Sequence, residues 1–252
     1  MKGRKDMKKI SIIIPTYNEE ESLPFLKEKL DKIMNEMGNY EFEILFVNDG
    51  SKDKSLEIIK GYRNEDERYC YLDFSRNFGQ EVAMAAGLDY VTGDCAIFMD
   101  ADLQDPPELI PEMVKYWEEG YDDVYARRKK RTGESFLKKF TSKMYYRVLQ
   151  EMTNVEIQKD TGNYRLIDRR CINALKKMKE SERCLKSMFS WIGYKKKEVL
   201  FEEQQKIQGQ TYWTGHTMEY LKVAVISEEN LENKRVMVQL QNIIGQDLIL
   251  AE

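Results

Sequence analysis

The chain has 252 residues, 33% of them charged, 42% hydrophobic and 11% aromatic, and 40 Lys and Arg stand against 44 Asp and Glu for a formal net charge of −4. That length and apolar fraction supply a packed core and exclude a disordered chain, while 14 Gly and 5 Pro exclude collagen and low-complexity linkers. His216 is the only histidine, and Cys70, Cys95, Cys171 and Cys184 form no C-x-x-C pair, which removes most Ser-His-Asp, Cys-His and His-metal chemistry, disfavours structural zinc and fits a reducing compartment.

In chain order, residues 9–15 (KISIIIP) are a short β-branched run and predict a buried strand. Leu23, Leu26, Leu30, Ile33, Met34 and Met37 recur at helical spacing. Residues 41–47 (EFEILFV) predict a second strand, ended by the turn-forming Asn48-Asp49-Gly50-Ser51. Leu56, Ile59 and Tyr62 mark a second helix. Residues 69–74 predict a third strand, 80–91 a third helix, and 95–99 (CAIFM) a fourth strand running into Asp100-Ala101-Asp102. Pro107 is placed to start a helix, where its missing N–H is harmless. A fifth strand is expected at 124–126. Continuous apolar strands alternating with helices predict an α/β fold, a mostly parallel central sheet with helices on both faces.

Past about residue 130 the pattern changes. Phe136, Leu137, Phe140, Met144 and Val148 form an apolar stripe flanked by Lys139, Lys143 and Arg147, a basic amphipathic helix over about 135–152. Such a helix suits an anionic membrane surface, or else packs on its own domain with snorkelling lysines. A strand is expected at 164–167, helices at 172–178 and 185–192, and a short strand at 199–201. Beyond 214 no element is assigned, and no internal repeat is present. The pattern gives a catalytic domain at 1–213 and an extension at 214–252.

Charge is segregated. Asp100 to Asp123 carries nine acids and one lysine, and Arg127 to Arg147 nine bases and one acid. Adjacent blocks of opposite sign suggest a cation-seeking site beside an anion-seeking one, or ordinary solvated faces. Nucleic acid is not an expected partner, because the chain is acidic overall and the basic block lacks interleaved aromatics. No apolar run approaches the ~20 residues of a membrane-spanning helix. The basic segment 1–9 is followed by no apolar signal core, so a cytoplasmic location is expected.

In open α/β sheets, ligands bind at the carboxyl ends of strands where strand order reverses. Three predicted ends carry polar groups: Pro15-Thr16-Tyr17-Asn18-Glu19, Asn48-Asp49-Gly50-Ser51 and Asp100-Ala101-Asp102-Leu103-Gln104-Asp105-Pro106-Pro107. Asp100 directly follows an apolar strand, so it is expected to be partly buried and to need a partner. A hard divalent cation is one, since it takes carboxylate oxygens plus substrate phosphates; a turn stabilised by Asp side chains is the other reading. No G-x-G-x-x-G follows a strand and no G-x-x-x-x-G-K-[ST] occurs, which disfavours dinucleotide dehydrogenases and P-loop enzymes.

Together with Ser75-Arg76-Asn77-Phe78-Gly79, Arg131-Thr132-Gly133-Glu134-Ser135 and Asp160-Thr161-Gly162-Asn163-Tyr164-Arg165-Leu166, these segments resemble family 2 glycosyltransferases. The branch resembled is the one that glycosylates polyprenyl phosphates, bactoprenol glucosyltransferases and dolichol-phosphate mannose synthases, over about residues 8–213. The resemblance implies a GT-A type fold, a nucleotide-diphosphate-sugar donor (UDP-sugar preferred to GDP-sugar), Mg2+ or Mn2+, and inversion at the sugar carbon. It implies a polyprenyl phosphate acceptor, a peripheral position on the inner face of the cell membrane, and a homo-oligomer as one option. By it, Pro15, Tyr17, Glu19 and Asp49 take the donor nucleotide. Asp100, Asp102 and Gln104 take the sugar diphosphate and metal. Asp160 and Arg165 lie on the acceptor side, and Arg127 and Arg131 face phosphate. A structural salt bridge is the competing reading for each of these last four.

The chemistry fits a chain poor in histidine. A departing diphosphate needs charge stabilisation, which a metal and arginines provide. A phosphate monoester acceptor has its second pKa near ~6 and is already a nucleophilic dianion at neutral pH. A sugar or protein hydroxyl acceptor would instead need a carboxylate base, Asp160 or Asp102. Two features depart from the pattern. Where the family has R-x-x-G-x-[ST]-K-[WY], Lys206 stands at the arginine and Tyr212 at the lysine. Many relatives also continue into two membrane-spanning helices, which this sequence does not contain. A non-catalytic nucleotide-sugar-binding homologue is therefore the third reading.

Overall fold

The computed structural model describes residues 7–128, 161–178, 185–201, 205–207, 210–216, 222–225, 240–244 and 248–251. β1 (Lys9–Thr16) is central. Successive side chains of a strand point to opposite faces, so Ile10, Ile12 and Ile14 enter one core and Ile13 the other. Its neighbours β2 (Glu41–Asn48) and β4 (Cys95–Phe98) both run parallel to it. Outside β2 lies β3 (Tyr69–Asp73), also parallel. On the other side, β6 (Thr161–Asp168) is antiparallel to both β4 and β5 (Asp123–Arg128), and β7 (Lys196–Phe201) runs parallel to β5. The seven-stranded order is β3-β2-β1-β4-β6-β5-β7, so β6 alone opposes the other six.

Helices cover both faces. α1 (Leu23–Glu36), α2 (Ser55–Glu65) and α4 (Ile110–Glu118) bury Leu26, Leu30, Ile59 and Met113 against Ile12, Ile44 and Ile97. α3 (Gln80–Tyr90), α5 (Arg169–Lys177) and α6 (Leu185–Trp191) bury Met84, Leu88, Ile172 and Phe189 against Ile13, Val47 and Phe98. α3 lies so near β1 that a Cβ on Gly87 would stand 2.4 Å from the Ile13 Cγ2, a spacing only glycine permits there. Each well-buried Ile or Leu in these layers contributes on the order of 2 kcal/mol.

The mostly parallel sheet with helices on both faces is the one the sequence predicts. Two details differ. Pro107 opens a 3-10 turn, Pro107–Leu109, and α4 follows with Pro111 in its first turn. β5 extends on both sides of 124–126, because pairing with β6 and β7 recruits flanking charged residues. The segment 135–152 lies outside the described residues. Past β7, β8 (Gln205–Ile207), β9 (Gln210–His216), β10 (Lys222–Val225), β11 (Leu240–Ile244) and β12 (Leu248–Ala251) form a second sheet in the order β11-β12-β10-β9-β8. Among the described residues no helix is long and apolar enough to cross a membrane.

Candidate active site

The chain builds β1, β2 and β3 outward, then returns to place β4 on the opposite side of β1. Strand order therefore reverses between β1 and β4, and a crevice opens at their carboxyl ends. It is a cleft of about 280 Å3, lined by Pro15, Thr16, Tyr17, Glu19, Asp49, Asn77, Gly79, Gln80, Asp100, Ala101 and Asp102. Proline suits its position. Ile13 accepts from the Met99 N–H at 3.2 Å, so Pro15, two residues on, turns its edge to the same side. There β4 has already left the ladder, and no N–H is needed.

The loops after β1 and β2 lock together. The Asn18 N–H donates to the Ser51 Oγ at 3.0 Å, and the Lys52 N–H returns to the Asn18 Oδ1 at 2.8 Å. The Glu19 N–H donates to the Ser55 Oγ at 2.8 Å, the Glu20 N–H to Asp53 at 3.0 Å, and the Lys54 N–H to Glu20 at 2.8 Å. Asn18 has φ +55°, a left-handed conformation that asparagine tolerates better than most residues. This interlock fixes Tyr17, 40% exposed, at the cleft wall.

Asp49 is 3% exposed, and both of its carboxylate oxygens are engaged. Oδ1 accepts from the Phe78 N–H at 2.7 Å and Oδ2 from the Gly79 N–H at 2.9 Å. The acid at the end of β2 thus shapes the loop that opens α3. Gly50 takes φ +67° and abuts the Arg76-Asn77 backbone.

The loop after β4 is held at several points. The Gln80 Nε2 donates to the Asp100 Oδ1 at 2.5 Å. The Gln104 N–H donates to the Asp102 Oδ1 at 2.9 Å, and the Tyr164 hydroxyl to the Pro106 carbonyl at 2.8 Å. Leu103, 4% exposed, has φ +62°. A left-handed leucine costs roughly 1–2 kcal/mol, so its burial and the surrounding hydrogen bonds hold the turn against strain.

Asp100 and Asp102 are the acids of this cleft nearest one another in sequence, and their oxygens are hard donors. Among the described residues, no group of three or more His, Cys, Asp or Glu forms a metal-holding cluster. Mg2+ is commonly held by one or two carboxylates plus substrate phosphates. The acid pair therefore fits a cation that is completed by a diphosphate, and does not fit one caged by protein alone. Gln104 contributes its backbone N–H to the turn and does not line the cleft.

The remaining predicted residues fall elsewhere. Arg165 is 1% exposed on β6; its Nη1 lies 3.2 Å from the Asp123 Oδ2 and its Cζ 4.1 Å from the Phe189 ring centre. Burial pushes the Asp123 carboxyl up, with the Arg165 guanidinium opposing it. Arg165 does not line the cleft. Arg127, next to last on β5, pairs with Glu198 at 2.9 Å. Asp160 and Arg131 lie outside the described residues, as do the side chains of Lys206 and Tyr212. β6 begins at Thr161, and its antiparallel register (Phe98 opposite Arg165) brings that beginning to the edge where Asp100 leaves β4. Sequence reasoning missed Asn77 and Gln80 as cleft residues. The available signal was that Gln80 follows Ser75-Arg76-Asn77-Phe78-Gly79 directly.

Comparison with known proteins gives three concordant results. The family model for Glycosyl transferase family 2 matches residues 11–176. An uncharacterized glycosyltransferase of Synechocystis sp. is 46% identical over 204 residues, which cover 81% of this chain and 64% of that one. A prophage bactoprenol glucosyl transferase homolog of Escherichia coli is 38% identical over 207 residues, covering 82% of this chain and 67% of that one. This chain thus spans less than two thirds of the length of the first of these relatives. A mannosyltransferase from Pyrobaculum calidifontis, solved with GDP-Man and Mn2+, superposes with a TM-score of 0.50 at 16% identity, covering 78% of this chain and 56% of that one. The fold is of the GT-A type.

Proposed function

The chain belongs to glycosyl transferase family 2, and on that premise we propose that it moves glucose from a UDP-sugar to a polyprenyl phosphate, with inversion and with a divalent cation, Mg2+ or Mn2+. One observation carries the reading: Asp100 and Asp102 open into the same cleft as Pro15, Tyr17, Glu19 and Asp49, at the switch point of the sheet. The name of the bactoprenol relative supports the acceptor, and the Mn2+ of the mannosyltransferase supports the cation.

In this reading Tyr17 and Pro15 flank the nucleoside, and Asp49 orders the loop beneath it. Asp100 and Asp102 hold the cation, with Gln104 setting the orientation of Asp102. When bound, the cation neutralises the charge that develops on the departing diphosphate. Arg127, next to last on β5, adds to that neutralisation, and Arg131 is assigned the same duty. An acceptor phosphate oxygen bonds to the sugar carbon while the bond from that carbon to the diphosphate oxygen breaks, its electron pair leaving with the diphosphate. The acceptor dianion carries no proton that must be removed, so the site works without histidine. Asp160 serves the acceptor side, and Arg165 serves it by anchoring β6 through Asp123. The basic segment around 135–152 rests on the cytoplasmic face of the membrane, where a polyprenyl phosphate is presented.

Incubation with UDP-glucose, undecaprenyl phosphate and Mg2+ should yield a glucosylated lipid detectable by chromatography. Transfer only to soluble hydroxyl acceptors would overturn the assignment of acceptor. Tyr212, at the lysine of the family pattern, favours a second reading, a nucleotide-sugar-binding protein without transfer. Its signature is UDP binding by calorimetry with no donor turnover for any acceptor.

A further inference from the structure

Near its start, β6 carries a buried acceptor that nothing answers. Asn163 is 6% exposed, and its Oδ1 has no hydrogen-bond partner among the described residues. A buried polar atom left unpaired costs free energy, and such atoms persist where something other than stability keeps them. The residues that follow it are fixed. Tyr164 and Arg165 are each 1% exposed; the Tyr164 hydroxyl donates to the Pro106 carbonyl at 2.8 Å, and Arg165 pairs with Asp123 at 3.2 Å. The strand also bulges here. Between the pairs Tyr125–Arg165 and Arg127–Thr161, β5 advances two residues and β6 four, so Gly162, Asn163 and Tyr164 stand against Ala126 alone. Bulges re-aim side chains, and they recur beside active sites. On the other edge of β6, Phe98 lies opposite Arg165, and two positions beyond that pair come Asp100, past the end of β4, and Asn163. The residue with the unpaired carbonyl thus sits at the edge from which the Asp100-Ala101-Asp102 loop springs.

We propose that Asn163 is a specificity-determining residue for the donor: its Oδ1 accepts a hydrogen bond from one hydroxyl of the hexose being transferred. The inference rests on the donor site proposed above and deepens it. Chemistry selects the ligand group. A carbonyl oxygen can only accept, and so can the oxygens of an ionised phosphate, so neither the diphosphate nor the acceptor phosphate satisfies it. A sugar hydroxyl donates freely. Placement agrees. The hexose extends from the diphosphate, assigned to Asp100 and Asp102, toward the acceptor, assigned to Asp160. Asn163 stands beside the origin of the Asp100 loop and follows Asp160 by three residues. A sugar that lacks the matching hydroxyl leaves the carbonyl buried and unpaired, which is how such a site rejects it.

The test is calorimetry in Mn2+ with UDP, UDP-glucose and UDP-glucose analogues that each lack one sugar hydroxyl, on the wild type and on Asn163→Ala. The wild type should bind one of the analogues at least about 10-fold more weakly than UDP-glucose. Asn163→Ala should bind UDP as the wild type does. It should bind UDP-glucose about 10-fold more weakly and no longer distinguish it from that analogue. Asn163→Leu keeps the volume and removes the carbonyl, so it should melt no lower than the wild type, because no donor loses a partner. Discrimination that survives in Asn163→Ala would overturn the inference. So would an Asn163→Leu melting temperature more than about 4 °C below the wild type, which would make Asn163 a structural residue. An equal loss for UDP and UDP-glucose would overturn it too, and assign the carbonyl to the cation or the nucleoside. A wild type that binds neither UDP nor UDP-glucose would overturn the donor site, and this inference with it.

Discussion

Gly50 and Arg76 meet so closely that a Cβ on Gly50 would stand 2.5 Å from the Arg76 carbonyl carbon. The contact brings the ends of β2 and β3 together directly beside Asp49, and it requires φ +67° at Gly50. The nucleotide side of the cleft is therefore built on a backbone approach that excludes any side chain.

Gly50→Ala should consequently do damage out of proportion to one methyl group. A left-handed alanine costs about 1–2 kcal/mol, and displacing the Arg76-Asn77 backbone adds to it. For a domain of this size each kcal/mol lowers the melting temperature by roughly 2–4 °C. A drop of less than about 2 °C, with UDP affinity intact, would contradict this account of the loop.

Asp102→Asn separates the structural and chemical duties of one carboxylate. The Asp102 Oδ1 accepts from the Gln104 N–H, and an asparagine oxygen can do the same, so the turn should persist. The negative charge needed to hold a cation is lost. Transfer rate should fall by about 100-fold or more while the melting temperature stays near that of the wild type. Retained transfer at ordinary Mg2+ concentrations would remove the acid pair from the mechanism.

Much of this was legible in the sequence because its signals are local. Continuous runs such as ISIII and CAIF mark strands buried on both faces, and polar residues just past them mark the carboxyl edge. Pro15, Tyr17, Glu19, Asp49, Asp100 and Asp102 all line one cleft, since parallel strands deliver their ends to one side. What was not legible depends on partners distant in sequence. Nothing local to Arg165 announces Asp123, 42 positions away, and nothing in the first residue of α3 announces Asp100. The strands past residue 214 escaped because β10 and β12 have four residues each, too few to display a period.

Tyr212→Lys restores the cation of the family pattern. A departing nucleoside diphosphate carries several negative charges, and one contacting ammonium group contributes roughly 1.5–3 kcal/mol as a charge-assisted hydrogen bond. If Tyr212 limits transfer, the variant should raise the turnover of UDP-glucose by about 10-fold or more, with the melting temperature unchanged. An unaltered rate would mean that the diphosphate is already neutralised by other groups.

Glu43 makes acid stability informative. Burial works to raise its pKa, but hydrogen bonds from Ser11, Thr92 and Lys9 outweigh burial and hold it below the ordinary glutamate value. A carboxyl lowered in the folded state stabilises above its unfolded pKa, about 4.3, and that contribution fades as pH falls through the lower native value. The stability gap between the wild type and Glu43→Gln should therefore hold from pH 7 to about pH 5 and narrow on going from there to about pH 3, read from urea midpoints. A constant gap would show that the carboxylate network beneath β1 and β2 contributes nothing through charge.

Arg165→Met decides whether this arginine is chiefly a buried anchor. Asp123 is fully buried, and removing the guanidinium leaves its carboxylate without the partner that offsets its desolvation. Breaking a buried pair from one side typically costs about 3–5 kcal/mol, whereas replacing both members with apolar residues is often neutral. Arg165→Met should thus unfold at clearly lower urea, and Arg165→Met combined with Asp123→Leu should recover most of the loss. If the double variant is as stable as the wild type and transfers glucose at the wild-type rate, Arg165 serves β6 alone. If it is stable yet inactive, the guanidinium acts on the acceptor directly, and its burial beside Phe189 must be relieved when the acceptor binds.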